Sequence, residues 1–166
     1  MLTKKKRKTF SEQYLLKDNE FWDQVLWSDE SKFNIFQNSG RILVWRKPNT
    51  KFEPKNLQST VKHGGGGVLV WGCMAASGIG ELVFIEDIMD KMVYLNVLKN
   101  NVKKCAEKLE LGWNFYFQHD NDPKHTAYIV RQWIAFNIPH VLPTPPQSPD
   151  LNPIEHLWEE LENWCL

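Results

Sequence analysis

The chain has little of several things, and each shortage excludes something. It lacks a long apolar run: its longest, VLVWGCMAAS, falls far below the roughly 18 residues of a membrane span. Its first ten residues, MLTKKKRKTF, lack the apolar stretch of a secretory signal. A soluble intracellular protein with no membrane association is expected. It has only three cysteines, Cys73, Cys105 and Cys165, an odd number without metal-ligand spacing. That argues against a disulfide framework and predicts reduced, mostly buried thiols. It has no net charge, with 20 Lys and Arg against 20 Asp and Glu. A free-standing DNA binder is expected to be basic, so strong sequence-specific DNA binding by this piece alone is not expected. The glycine run Gly64–Gly67 lacks the Gly-Lys-Ser/Thr ending of a phosphate loop, which excludes nucleotide binding of that kind. No internal repeat and no low-complexity tract is present.

What the chain does have is apolar mass and uneven charge. Its 166 residues suit one globular domain, and eight Trp help to supply a core. Residues 1–62 hold 13 Lys and Arg against 7 acids, and residues 63–166 reverse those numbers. The one dense basic cluster is Lys4-Lys5-Lys6-Arg7-Lys8. It reads as a nuclear import signal, a phosphate-contacting arm or a solvated, frayed terminus.

Along the chain, residues 10–24 read as a weakly amphipathic helix. QVLWSDE reads as a short strand ending in acids, and SKFNIF and RILVWR as a hairpin turned at Asn38-Ser39-Gly40. Residues 48–67 read as a long mobile loop. VLVWGCMAAS and ELVFIE form two further strands around Ser77–Gly80. An apolar stripe over residues 90–109 predicts a helix, with Gly112 as its cap. NFYFQHD is a strand, residues 124–136 a helix, IPHVL a short strand, PTPPQSPDLNP a rigid loop and residues 154–164 a last helix. Strands first, then alternating helix and strand, give a mixed α/β layered domain.

Acids stand at the ends of these elements. Asp122 before Pro123 is a helix-start signal, with Asp as N-cap and Pro in the first helical position. Asp120 has no such structural task. It sits at a strand's carboxyl end, where open α/β sheets place ligands, and a carboxylate beside a core is costly without a positive partner. Asp29 ends another strand, with Glu30 beside it; alternation lets only one of the two face a shared site, and Asp29 shares its face with Trp27 and Val25. The third candidate, Glu155, falls three residues after Asn152 in an Asn-x-x-Glu capping box, or on a solvated acidic face with Glu159 and Glu162. Ile154, Leu157, Trp158, Leu161 and Cys165 form the opposite, buried face. Three carboxylates around one sheet suit hard divalent cations such as magnesium, and a pair of ions about 4 Å apart suits phosphoryl transfer. No convincing Ser-His-Asp or Cys-His set competes with them.

The segments VLWSDESKFNIF, TVKHGGGGVLVWGCMAASG, FQHDNDPKHTA and SPDLNPIEHLWEEL resemble, in order, the catalytic domain of mariner-type transposases of the Tc/mariner superfamily. The resemblance runs from about residue 25 to 162, and 34 residues separate Asp120 from Glu155, as in the Tc branch. It implies an α/β, ribonuclease H-like mixed sheet flanked by helices, carrying an Asp-Asp-Glu triad. It implies that Asp29, Asp120 and Glu155 are catalytic metal ligands for two magnesium or manganese ions. The implied substrate is DNA: a phosphodiester at a transposon end is hydrolysed, and the freed 3′ hydroxyl is then transferred to target DNA in the nucleus. Residues 48–67 resemble a clamp between subunits, which implies a homodimer. His119 stands where a Gln is common and is expected to face away from the ligands. Lys124 and His125 are read as helix-surface residues, with a phosphate contact as the second reading. Residues 1–24 are then a basic tail and lead-in helix, and residues 25–166 a catalytic domain truncated at its C-terminus and lacking the usual helix-turn-helix module. An idle remnant that acts at most as an interaction or weak nucleic-acid-binding module is the alternative. A ribonuclease H-like nuclease with other substrates is a third reading, against which the mariner motifs argue.

Overall fold

A computed structural model describes residues 2–34, 66–86 and 88–164. Its elements are α1 (Leu2–Tyr14), α2 (Asn19–Asp23), β1 (Val25–Asn34), β2 (Gly67–Ala75), β3 (Gly78–Ile85), α3 (Lys91–Lys108), β4 (Tyr116–Gln118), α4 (Tyr128–Asn137), β5 (His140–Val141) and α5 (Pro153–Trp164). The five strands form one sheet in the order β3-β2-β1-β4-β5. β1, β2 and β3 pair antiparallel, while β4 and β5 run parallel to β1.

Alternation along the strands sorts the side chains onto two faces. Leu26, Trp71 and Cys73 face α3 and α4, where they meet Leu95, Leu98, Val102, Val130 and Ile134 in the main core. Val25 and Trp27 face the other way, under an aromatic cover of Phe10, Tyr14, Phe21 and Trp22 from α1 and α2. On that same face Val70 meets Ile154 and Trp158 of α5. Cys73 and Cys105 are buried free thiols in the main core; Cys165 lies outside the described residues. Among the described residues no helix is long and apolar enough to cross a membrane.

The structure differs from the sequence expectations in several places. The two strands read at 24–30 and 31–36 form one strand of ten residues, because no turn residue interrupts the alternation. Its antiparallel partner is β2, paired from Asn34↔Gly67 to Trp27↔Met74. The expected hairpin partner at 41–46 lies outside the described residues, and so does the 48–67 segment except for Gly66 and Gly67, the latter opening β2. Lys4 to Lys8 is not a frayed terminus: α1 runs through it, since Lys and Arg are good helix formers and Phe10 and Tyr14 anchor the helix on the sheet. The expected helix over 10–24 is broken at Leu15–Asp18, where Asp18 accepts from the Phe21 N–H and starts α2 afresh. α3 is closed by Glu110 rather than Gly112. Glu110 takes the left-handed conformation (φ 55°), and the Leu111 N–H donates to the Ala106 carbonyl at 3.0 Å.

Candidate functional site

β4 pairs with β1 only over Val25–Trp27, while β1 runs on to Asn34 beside β2 alone. The sheet therefore opens where β4 stops, and a cavity of about 310 Å³ lies beyond the carboxyl end of β4. Asp29, Asp120 and Glu155 all line it, from β1, from the segment after β4 and from the first turn of α5. Its far wall is the Thr144–Pro149 loop, tied down by Asn121, whose amide donates to the Thr144 carbonyl at 2.9 Å.

Asp29 pairs across the ladder with Gly72. That glycine has a reason in packing: a Cβ there would meet the Trp158 ring at 2.7 Å. The missing side chain lets the indole lie against β2, where its Nε1 donates to Asp29 Oδ2 at 3.2 Å. Burial, then the nearby charge of Glu155, pushes the Asp29 carboxyl up to about 7. Glu155 is raised too, first by burial and then by Glu159 and Asp120.

Asn152 starts α5, but the expected capping box is only half formed. Its side chain accepts from the Ile154 N–H at 3.3 Å, while its own N–H donates to Pro149 rather than to Glu155. The Asn152 amide instead donates to the Ser28 carbonyl at 3.2 Å, which fastens the start of α5 to β1 beside Asp29. Of the face expected to be buried, Ile154 and Trp158 are buried and Leu157 is half-buried. Leu161 is exposed.

Asp120 behaves differently. Burial works against its charge, but His125 and the Asp122 N–H outweigh that and lower its pKa. Asp122 caps a turn rather than the expected helix: its carboxylate accepts from the Lys124 N–H at 2.9 Å, and its carbonyl accepts from the His125 and Thr126 N–H groups. That turn does not continue into α4. Ala127 is extended, and the helix begins only at Tyr128.

The break overturns the helix-surface reading of Lys124 and His125. His125 is turned inward and fully buried, its ring stacked on Tyr94 with centroids 3.8 Å apart. Its Nδ1 lies against Asp120 and its Nε2 is 3.1 Å from Glu30 Oε2. Neither contact has hydrogen-bond alignment, so the attraction is that of ion pairs. Burial disfavours the imidazolium, yet the two carboxylates lift the His125 pKa to about 9. Lys124 bridges Glu30 at 3.4 Å and Asp122 at 3.1 Å. Glu30, pointing away from Asp29 as alternation requires, is thus a second, largely covered acid that the sequence reading passed over. Tyr94 was missed as well. His119 is not part of the cavity lining; it contacts the Tyr94 hydroxyl at 3.3 Å, and burial followed by His125 lowers its pKa to about 4.

Among the described residues no three His, Cys, Asp or Glu side chains converge closely enough to surround one ion by themselves. The donor set nonetheless suits a divalent cation. Four carboxylates, Asp29, Asp120, Asp122 and Glu155, line a cavity whose lining includes no Lys or Arg among the described residues, and burial beside Glu155 raises the Asp29 pKa. Hard oxygen donors with water completing the shell are the usual setting of magnesium.

The model of one family, described as DDE superfamily endonuclease, matches residues 24–166. The chain belongs to the DDE superfamily endonucleases. Relatives in this family include the Tc1 transposase of Caenorhabditis elegans, 46% identical over 156 residues that cover 94% of this chain and 57% of that protein. The Tcb1 transposase of Caenorhabditis briggsae is 43% identical over 159 residues, covering 96% and 58%. The chain therefore spans less than two thirds of the length of these relatives. Among solved structures, a Mos1 transposase paired-end complex with left transposon end superposes with a TM-score of 0.72 at 22% identity, covering 97% of this chain and 47% of that one. The Mos1 transposase catalytic domain with raltegravir and Mg gives 0.70 at 19%, covering 98% and 70%. These likenesses show the fold: the DDE endonuclease chain has the ribonuclease H-like mixed sheet that the sequence resemblance implied.

Proposed function

We propose that this chain is the catalytic domain of a DNA transposase, which cleaves a phosphodiester at a transposon end and joins the freed 3′ end to target DNA. Asp29, Asp120 and Glu155 hold two magnesium or manganese ions. One observation carries the reading: three acids distant in the sequence line a single cavity at the open edge of the sheet. Divalent ions held there would supply the positive charge that offsets the negative charge developing on the oxygens during phosphoryl transfer. The protein's own part is positional. β1 carries Asp29, the segment just after β4 carries Asp120, Asn152 locks Glu155's helix to β1, and the Thr144–Pro149 loop forms the far wall. Family membership and the Tc1 and Tcb1 relatives support a role in transposition. Nuclear action on DNA, with the 4–8 basic run as import signal, and dimerisation through residues 48–67 belong to the same proposal.

The test is nicking of supercoiled plasmid by the purified chain with manganese or magnesium, beside Asp120→Ala. Nicking lost in the variant alone supports the enzyme. Equal inactivity of both supports the second reading, a remnant without catalysis. Gel filtration reads the dimer directly.

A further inference from the structure

Glu30 and His125 lie behind the cavity and have no part in the reaction as set out above. Their arrangement is nevertheless costly. A largely covered carboxylate meets a fully buried imidazole, and the fold breaks before α4 to turn the imidazole inward. We infer that Glu30 and His125 are positioning residues that hold the Asp120 carboxylate toward the cavity for a divalent cation. This rests on Asp120 being a metal ligand. Asp120 lies two residues beyond β4, where no ladder fixes its backbone, and its side chain is about half exposed (55%). It needs an anchor, and the Asp122 N–H is one, at 3.1 Å. His125 is the other. The imidazole is itself immobilised from three sides: Tyr94 stacks on its face, Glu30 meets its far nitrogen, and the Asp122 carbonyl holds its backbone N–H. Glu30 stands on β1 opposite Trp71, in the most regular ladder of the sheet. The chain of contacts therefore refers the position of Asp120 to the same strand that carries Asp29. Outer partners of this kind commonly set how well a ligand carboxylate binds its ion.

The experiment is a manganese titration of the purified chain, with free ion counted by electron paramagnetic resonance, on wild type, Glu30→Gln, His125→Asn and Asp120→Ala. Glu30→Gln keeps the shape and removes the charge. Each of the two positioning variants is expected to weaken manganese binding by about ten-fold or more, with plasmid nicking recovered at saturating manganese. A purely structural role would not give recovery by metal. Binding within about two-fold of wild type in variants that still melt cooperatively overturns the inference. Should His125→Asn not fold, Glu30→Gln decides alone; loss of the cooperative melt in both makes the pair a folding determinant and also overturns it. Unchanged binding in Asp120→Ala defeats the ligand role itself, a separate failure from that of the positioning pair.

Discussion

Asp29 reaches the cavity from β1 and Asp120 from the segment just after the neighbouring parallel strand β4, yet their surroundings pull them in opposite directions. Asp29 is packed under α5 with an indole N–H as its side-chain donor and with Glu155, Glu30 and Asp120 around it, and its pKa rises to about 7. Asp120 stands at a loop, more open to water, with His125 against it and a backbone N–H on its oxygen, and its pKa falls. One carboxylate is already compensated by the protein. The other is left uncompensated, as a site that takes its positive charge from a bound ion would leave it. The difference comes from the faces of β1: Glu30 collects the nearby cationic groups, Lys124 and His125, on the α3 side, and Asp29 receives none of them.

The largest expected effect treats the two alike. Asp29→Asn and Asp120→Asn are each expected to reduce manganese-dependent nicking by more than the about 100-fold that loss of an outer partner costs. Retained nicking in either would remove that residue from the site. Stability in chelator should then separate them. The folded pKa of Asp29 lies above its ordinary value of 3.8, so between pH 4 and 7 the native state binds more protons than the unfolded chain. Its contribution therefore falls as pH rises through that window. At pH 7 Asp29→Asn should raise the thermal midpoint, whereas Asp120→Asn, which discards a favourable charge, should lower it. Equal shifts of the same sign would end the contrast.

The next effect concerns the packing that creates the contrast. Gly72→Ala would press a methyl into the Trp158 ring, and is expected to cost about 1–3 kcal/mol in urea unfolding, as overpacking does. Trp158→Phe should cost less. It keeps most of the ring against Val70 and Ile154 but removes the N–H from Asp29, a loss of about 1 kcal/mol for one hydrogen bond. A Gly72→Ala protein as stable as wild type would mean that α5 shifts readily, and that the crowding around Asp29 is not built in.

The half of the site that lines the cavity was legible in the sequence, and the half behind it was not. Asp120 lies just past a strand end, Glu155 lies in the first turn of a helix and Asp29 lies inside β1, and the ordered motifs singled out all three. Alternation also said correctly that Glu30 points away from Asp29. What lay on that other side could not be read, because it depends on where α4 begins. Asp122-Pro123 signals a helix at once, and Ala127 is a strong helix former, yet the chain is extended at Ala127 and the helix waits until Tyr128. His125 was therefore placed on a helix surface instead of inside the fold. Tyr94 fits the α3 stripe as ordinary core, and only contact with His125 gives it a further role. The split of β1 into two strands failed for a simpler reason: the acidic pair Asp29-Glu30 reads as an end, but here one acid faces a cavity and the other a buried cation.

The smallest expected effect tests how far the site extends toward the N-terminus. Arg7 on α1 makes a two-pronged contact with Asp150, at 2.8 and 2.6 Å, next to the cavity wall at Pro149. The geometry is good, but the pair is exposed, and such pairs contribute little once solvent screening and side-chain entropy are counted. Arg7→Ala should leave both the thermal midpoint and manganese binding unchanged within error, in contrast to every substitution around Asp29. A clear loss of metal binding with the midpoint intact would show that α1 braces the wall facing Asp120. The anchoring of that carboxylate would then reach beyond the His125 and Glu30 pair to the basic helix itself.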